Sequence, residues 1–300
     1  MEKIPVGILG ATGMVGQQYI ALLENHPWFE VRYVAASPQS AGKAYQEAAA
    51  GRWNATRGDL GGANPPAVAK LIVEDANDVS RALAAVKRGD LAFVFSALEM
   101  GKDDILRLEE GYAGAGIPVV SNASANRWTG DIPMLIAEVN PHHADIIPVQ
   151  QKNRGWDKGF IVVKPNCSIQ SYMTPLFALQ QAGYEVRRMI VSTLQAISGA
   201  GFPGVPSLDI LDNVVPYIGG EEEKTEQEPL KILGSIQGKG FVNAAGPRIS
   251  AHCNRVAVID GHTACVSMEF GDKKPSIDEV KRLWKDFKAL PQELDLPMAP

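Results

Sequence analysis

Cys167 sits in the run Pro165-Asn166-Cys167-Ser168-Ile169-Gln170, where a β-rich stretch from Phe160 to Val163 gives way to a helical pattern starting near Ser168. A thiol at such a corner faces the free N–H groups of a helix's first turn, which favour the thiolate. The thiolate is the form that attacks carbonyls. The plain alternative is a buried, unreactive core cysteine. A second set of groups lies in Arg255-Val256-Ala257-Val258-Ile259-Asp260-Gly261-His262. Its alternation predicts a strand from Arg255 to Ile259, with His262 just beyond it at a glycine turn. An imidazole brought beside Cys167 could take the thiol's proton and later handle that of a substrate. Arg255 offers a planar fork suited to a carboxylate, its plain alternative being a surface salt bridge.

Two further segments carry charge or backbone freedom. Ser198-Gly199-Ala200-Gly201-Phe202-Pro203-Gly204 can lay its amides against a ligand. In Gly219-Gly220-Glu221-Glu222-Glu223-Lys224 a carboxylate can meet a cationic amino group, and Lys224 a phosphate. The competing reading of that run is a solvated helix start.

A cofactor site is written in Gly10-Ala11-Thr12-Gly13-Met14-Val15-Gly16, directly after an apolar strand and opening an amphipathic helix. Glycines there allow a tight turn and close approach of a pyrophosphate, which the helix N-terminus stabilises. The spacing is GxxGxxG rather than GxGxxG, so the strand-turn-helix context carries the argument. At the end of the second strand, where NAD enzymes place a carboxylate, Ala35 through Lys43 contains none. Hydroxyls at Ser37 and Ser40 and the charge of Lys43 suit a 2′-phosphate instead, which favours NADP over NAD.

The elements that must position these groups follow from periodicity. Strands are expected at Ile4–Leu9, Phe29–Ala36, Leu91–Phe95 and Ile117–Val120. Helices fall between them at Met14–Asn25, Val79–Lys87 and Asp103–Ala113. This alternation implies right-handed βαβ units and a parallel sheet. A Gly/Pro/Ala-rich stretch at Gly58–Pro66 precedes the Val79–Lys87 helix. Beyond Cys167, longer strands (Arg188–Gln195, Arg255–Ile259, Thr263–Phe270) mix with polar, Gly/Pro-rich connections and suggest an α+β domain with a mixed or antiparallel sheet. Three hundred residues accommodate two such domains. A formal net charge of −5 argues against a nucleic-acid surface. No apolar run reaches the length of a membrane span. The absence of a signal peptide and three cysteines without a CxxC pair suit a reducing cytoplasm. No metal site is expected, since neither Cys253, Cys265 and His252 nor His142-His143 has ligand spacing.

Taken together, Gly10 through Gly16, Ser96-Ala97-Leu98, Pro165 through Ser168, Gln195 through Gly201, Glu221 through Lys224 and Arg255 through His262 resemble the aspartate-semialdehyde dehydrogenases, most of all the branch found in archaea and fungi. The resemblance implies an α/β chain with a Rossmann-type parallel-sheet NADP-binding domain over residues 1–165. It also implies an α+β catalytic and oligomerisation domain with a mixed sheet over residues 166–300. The implied reaction interconverts aspartyl phosphate and aspartate semialdehyde, with release or uptake of phosphate, in aspartate-family amino-acid biosynthesis. Cys167 would form the acyl thioester, His262 would act as general acid/base, and Gln195 would orient the acyl group. Arg255 would grip the substrate α-carboxylate and Glu221 its amino group, with Glu222 an open alternative in the triple-glutamate register. Lys224 would serve the phosphate, with Asn166 and Arg127 as further contacts. Ser96, Ala97, Ser198 and Gly199 would lie around the cofactor, and the assembly would be a homodimer or homotetramer formed through the second domain's sheet.

The family continues past the point where this sequence stops, at Leu296-Pro297-Met298-Ala299-Pro300, into a segment whose last helix packs back on the nucleotide domain. Reduced stability and weaker NADPH binding are therefore expected. Two other readings use the same residues: a reductase of a coenzyme A thioester such as malonyl-CoA, and a non-catalytic dinucleotide-binding module or truncated relic. The Glu221–Lys224 run speaks for an amino-acid substrate, since a malonyl group carries no ammonium.

Overall fold

The computed structural model describes residues 2–51, 53 and 65–297. Most of the Gly58–Pro66 connection and the last three residues of the C-terminal run lie outside the described residues. The chain divides into two compact units, Met1–Pro133 with Asp145–Lys164, and Met134–Ala144 with Pro165–Pro300.

The first unit is built on β1 (Ile4–Leu9), β2 (Phe29–Ala36), β3 (Glu74–Asp75), β4 (Phe93–Ser96), β5 (Val119–Ser121) and β6 (Ile161–Val163). All pair in parallel, in the order β3-β2-β1-β4-β5-β6. Val6, Ile8 and Leu9 of β1 are fully buried, as a central parallel strand requires. Each such side chain contributes about 1.5–3 kcal/mol by leaving water. Helices Met14–Leu23, Val79–Arg88 and Lys102–Gly114 alternate with the strands. The second shows why its ends lie where they do. The Asp78 side chain accepts the Ser80 N–H at its start, and Gly89 closes it with φ 79°. Strand order reverses between β1 and β4, and the crevice at the C-terminal ends of those strands is where this topology binds nucleotides.

The second unit centres on a mixed sheet. After a small hairpin of β8 (Ser235–Gln237) and β9 (Gly240–Val242), strand β10 (Arg248–Arg255) pairs parallel to β7 (Val186–Gln195). On the other side of β7, β11 (His262–Phe270) runs antiparallel. Helices Cys167–Gln181, Glu221–Ile232 and Ile277–Asp286 belong to this unit. The expected strand from Arg255 to Ile259 is not formed: β10 ends at Arg255, and residues 256–261 make a loop leading into β11. Their alternation reads as a strand, but Val258 and Ile259 are 48% and 64% exposed. The Ile197 and Ser198 amides donate to the carbonyls of Val258 and Ile259, so their hydrogen bonds serve a loop-to-loop contact. The segment Met134–Ala144 is braced internally by Asn140, whose side chain binds Met134 O and the Ile136 N–H, and joins the rest of this unit through His143, whose Nε2 meets Gly234 O at 3.1 Å. Among the described residues no helix is long and apolar enough to cross a membrane.

Candidate active site

Register alone gathers three of the candidate residues. Gln195, the last residue of β7, is the cross-strand partner of Arg255 on β10 and of His262 on β11. Residues paired at one position of a pleated sheet point to one face, so these three side chains form a row at one end of the sheet. Gln195 and Arg255 are buried, at 1% and 6% exposure. The Arg255 guanidinium donates to Ala196 O at 2.8 Å through Nη1. Gly199 lies against it, for a Cβ there would stand 2.8 Å from Nη1 and 3.2 Å from His262 Cε1. Ser198 is fixed beside it by its amide bond to Ile259 O.

Cys167 is the first residue of the Cys167–Gln181 helix, whose N-cap is Asn166. Asn166 Oδ1 accepts the Ser168 N–H at 2.9 Å and the Ser168 hydroxyl at 2.8 Å. This is ordinary capping chemistry, and it leaves the exposed thiol at the positive end of the helix dipole. The sulfur lies 3.3 Å from His262 Nε2 and 3.6 Å from Asn166 Oδ1. On the far side of the ring, His262 Nδ1 accepts the Ala196 N–H at 3.1 Å. A neutral imidazole so held carries its proton on Nε2, and it meets the sulfur as a donor. The hydrogen bond with Cys167 raises the His262 pKa, against the opposing effect of partial burial. The ring proton and the helix N-terminus both face the sulfur, the side from which a thiolate is favoured.

The Glu221–Ile232 helix supplies the acidic wall. Both Glu221 oxygens accept from Asn166 Nδ2, at 3.1 and 3.0 Å, and Gln195 Nε2 donates at 3.4 Å. Lys224 Nζ completes the set at 2.8 Å. Burial pushes the Glu221 carboxyl up, but the Lys224 bond and charge, with the Asn166 and Gln195 donors, hold it below the usual carboxylate range. Glu222 is turned elsewhere. It accepts the Cys253 N–H at 3.1 Å, and Glu226 accepts the Ala251 N–H at 3.0 Å. These two carboxylates cover donors on β10, an edge strand of its sheet. Of the two glutamates left open by the sequence, Glu221 shares the corner with Asn166 and Gln195. Glu228, two turns further along the same helical stripe, is fully buried and accepts the Asn166 backbone N–H at 2.6 Å. Sequence reasoning missed it, although the seven-residue spacing from Glu221 was a usable signal.

The first unit holds the other candidates. Gly10 has φ 75°, and a Cβ on it would stand 2.4 Å from Ala97 O. A Cβ at Gly16 would stand 2.2 Å from Gly10 O, so these two glycines close the turn against β4 and against the helix. A Cβ at Gly13 would meet only Gly10 O, at 3.4 Å, which leaves the outer face of the turn open to close approach. Thr12 O accepts from Gln17 Nε2, while Met14 and Val15 begin the helix. The buried Tyr45 hydroxyl donates to Ala11 O at 2.8 Å, a buttress the sequence did not announce. Ser96, at the end of β4, gives its hydroxyl to the buried Glu109, as do Ser121 and the Asn126 amide. Of the 2′-phosphate candidates, Ser37 is exposed and Ser40 buried, and exposed Lys43 donates to Gln39 O at 2.8 Å. Arg127 is buried, and its guanidinium donates to Lys164 O and Asn122 O.

A parallel sheet with this strand order, and a cysteine–histidine pair at the end of a mixed sheet, are the parts of a dinucleotide-dependent dehydrogenase with a cysteine nucleophile. Residues 5–147 match the family semialdehyde dehydrogenase, NAD binding domain, and residues 176–296 match semialdehyde dehydrogenase, dimerisation domain. The chain belongs to the aspartate-semialdehyde dehydrogenase family. It is 46% identical over 299 residues to the aspartate-semialdehyde dehydrogenase of Archaeoglobus fulgidus, covering 99% of this chain and 79% of that one. It is 41% identical to that of Saccharomyces cerevisiae, over 98% of this chain and 79% of the relative. A crystal structure of the Candida albicans aspartate semialdehyde dehydrogenase with NADP superposes with a TM-score of 0.84 at 37% identity, covering 100% of this chain and 80% of that one. The coenzyme A reductase and non-catalytic readings are not favoured by these relatives.

Proposed function

We propose that this chain is an NADP-dependent, phosphorylating aldehyde dehydrogenase that interconverts aspartyl phosphate and aspartate semialdehyde through a thioester on Cys167. The observation that carries this is the Cys167–His262 contact of 3.3 Å at a helix N-terminus, beside the Glu221 carboxylate and the Arg255 row. In the reductive direction the Cys167 thiolate attacks the acyl phosphate carbon. The C–S bond forms, the C–O bond to phosphate breaks, and Lys224 neutralises the departing anion. Asn166 and Arg127 are further contacts for substrate or phosphate. Arg255 holds the α-carboxylate, Glu221 the α-ammonium, and Gln195 the acyl oxygen. NADPH, when bound, supplies the hydride that reduces the thioester carbon. His262, with its proton on Nε2, serves the oxygen of the resulting thiohemiacetal and the thiolate that leaves it.

The glycine turn fits a dinucleotide by the close packing at Gly10 and Gly16 and the open face at Gly13. Gly10, Thr12, Gly13, Met14, Val15 and Gly16 would hold the pyrophosphate, with Ser96 and Ala97 at the neighbouring strand end. Ser37, Ser40 and Lys43 would receive the 2′-phosphate, for which Lys43 must leave Gln39 O. Ser198 and Gly199 would line the nicotinamide side. The chain assembles as a homodimer or a homotetramer through the open face of the β10-β7-β11 sheet, where Ile190 and Leu194 are 50% and 39% exposed. Cys167, Cys253 and Cys265, none of them in a disulfide, accord with a cytoplasmic enzyme.

The test is reduction of NADP+ by aspartate semialdehyde with and without inorganic phosphate. Phosphate-dependent NADPH formation is expected. Equal rates without phosphate would overturn the reading.

A further inference from the structure

Glu228 is a fully buried carboxylate that the mechanism does not use. Its Oε2 accepts the backbone N–H of Asn166 at 2.6 Å. Asn166 is the busiest residue of the corner. Its side-chain Oδ1 takes the Ser168 N–H and hydroxyl and lies 3.6 Å from the Cys167 sulfur, while its Nδ2 binds both Glu221 oxygens. Every one of those bonds requires the peptide preceding the helix to be held at one rotation. An N-cap residue stands half outside the helix, so its own N–H has no helical acceptor and nothing intrinsic fixes that rotation. Burying a carboxylate is costly unless it is well bonded. The same helix already places Glu221, Glu222 and Glu226 on strand and corner donors, so a further buried carboxylate at 228 is not needed to anchor the helix.

We propose that Glu228 is a positioning residue: it clamps the Asn166 backbone so that the Asn166 side chain caps the helix that carries Cys167 and holds Glu221, keeping both in their reactive arrangement. The proposal rests on Cys167 being the nucleophile. The acceptor is what counts, and the charge is secondary. Glu228→Gln keeps a carbonyl acceptor and drops the charge. Glu228→Met keeps the length and removes the acceptor.

The experiment compares these two neutral variants with the wild-type chain in phosphate-dependent turnover and in the rate of Cys167 alkylation by iodoacetamide at fixed pH. Displacement of a reacting group by about 1 Å costs up to about 10²-fold, so kcat of the Met variant should fall at least about tenfold. The Gln variant should stay within about threefold of wild type in kcat. Alkylation should be slower in the Met variant than in the Gln variant, a comparison from which charge cancels and which needs no turnover. Combining Glu228→Met with Asn166→Ala should cost no more in kcat than Asn166→Ala alone. Met and Gln variants that lose kcat equally, or fully multiplicative losses in the double variant, would overturn the proposal. Should the Met variant fail to fold, the Gln variant still decides: a tenfold loss of kcat in it refutes the acceptor role. A wild-type chain that alkylates at Cys167 but shows no phosphate-dependent turnover refutes the reading of function, while the Met-against-Gln alkylation ratio still judges Glu228.

Discussion

The two units do their chemistry with different parts of the chain. In the first, the working surface is backbone: one turn, Gly10 to Gly16, placed by a parallel sheet at the point where strand order reverses. In the second, it is side chains drawn from five separate segments, at 166–167, 195, 221–224, 255 and 262: the pairing register of β7, β10 and β11 aligns 195, 255 and 262, and two helices bring 166–167 and 221–224 against that row. Each unit also buries a carboxylate near its working end. Glu109 ties Ser96, Ser121 and Asn126 side chains together at the ends of β4 and β5. Glu228 instead grips the backbone under the nucleophile. A backbone site tolerates varied side chains but no Cβ at its closest approaches. A side-chain site tolerates none of its members being changed.

That difference predicts separable losses. Cys167→Ala should reduce phosphate-dependent turnover by at least about 10⁴-fold, the scale on which nucleophile deletions act. Dinucleotide affinity, read by fluorescence titration of NADPH, should stay within about twofold. Retention of more than about a hundredth of the wild-type rate would remove Cys167 from the chemistry. Gly10→Val should do the reverse. A side chain at φ 75° whose Cβ meets Ala97 O costs about 1–3 kcal/mol, so NADPH binding should weaken about tenfold or more. Alkylation of Cys167 by iodoacetamide should be unaffected, and a matching loss there would mean that the two regions are not independent.

Acid should divide the units as well. His143, in the second unit, is pushed down to about 4 by burial, and its ring nitrogens are both occupied in the neutral form, one by Asn140 and one by Gly234 O. The unfolded chain binds its proton near pH 6.5, so stability from this site is lost as pH falls from about 6.5 toward about 4. Glu109 has the opposite sign. Burial raises its pKa, so the folded state takes up the proton first and the site loses stability as pH rises through that value. Hydrogen exchange at pH 4.5 and pH 7 should show the amides around 134–144 and 230–235 losing more protection in acid than those of β4 and β5. His143→Gln should narrow the gap. Equal loss in both regions would contradict the assignment.

Much of this was legible before any coordinates. The βαβ alternation gave β1 and β2 at their observed bounds because apolar runs between turn signals in a parallel sheet have few alternatives. The glycine turn was legible for the same reason, since its conformation is local. The second unit was legible only as a set of candidates. Nothing in the sequence says that Arg255, Gln195 and His262 share one row, because register is a long-range property of three strands. The 255–259 alternation even misplaced the strand, with Val258 and Ile259 spending their apolar character on an exposed loop. Glu222 read like Glu221 until the edge of β10 claimed it. Buried acceptors such as Glu228 and Glu109 look like surface charges in a sequence, for their burial is decided by what packs over them.

The smallest expected effect tests the catalytic pair itself. His262 is raised first by its hydrogen bond with Cys167 and further by the charge of that group, while partial burial and Arg255 act downward. In Cys167→Ala both contributions of the sulfur disappear and the downward ones stay. The His262 pKa, followed by NMR titration of the ring, should therefore fall, and the imidazolium should give up its second proton at lower pH than in the wild-type chain. The bond from the Ala196 N–H to Nδ1 persists in the variant, so the neutral ring should keep its Nε2–H tautomer. A pKa that stays put would mean that the imidazole does not sense the sulfur, and the side-chain site would then be a set of neighbours without coupling. A pKa that falls with the tautomer unchanged shows a ring held from behind by backbone and tuned from the front by the nucleophile, the arrangement that distinguishes this unit from the glycine turn of the other.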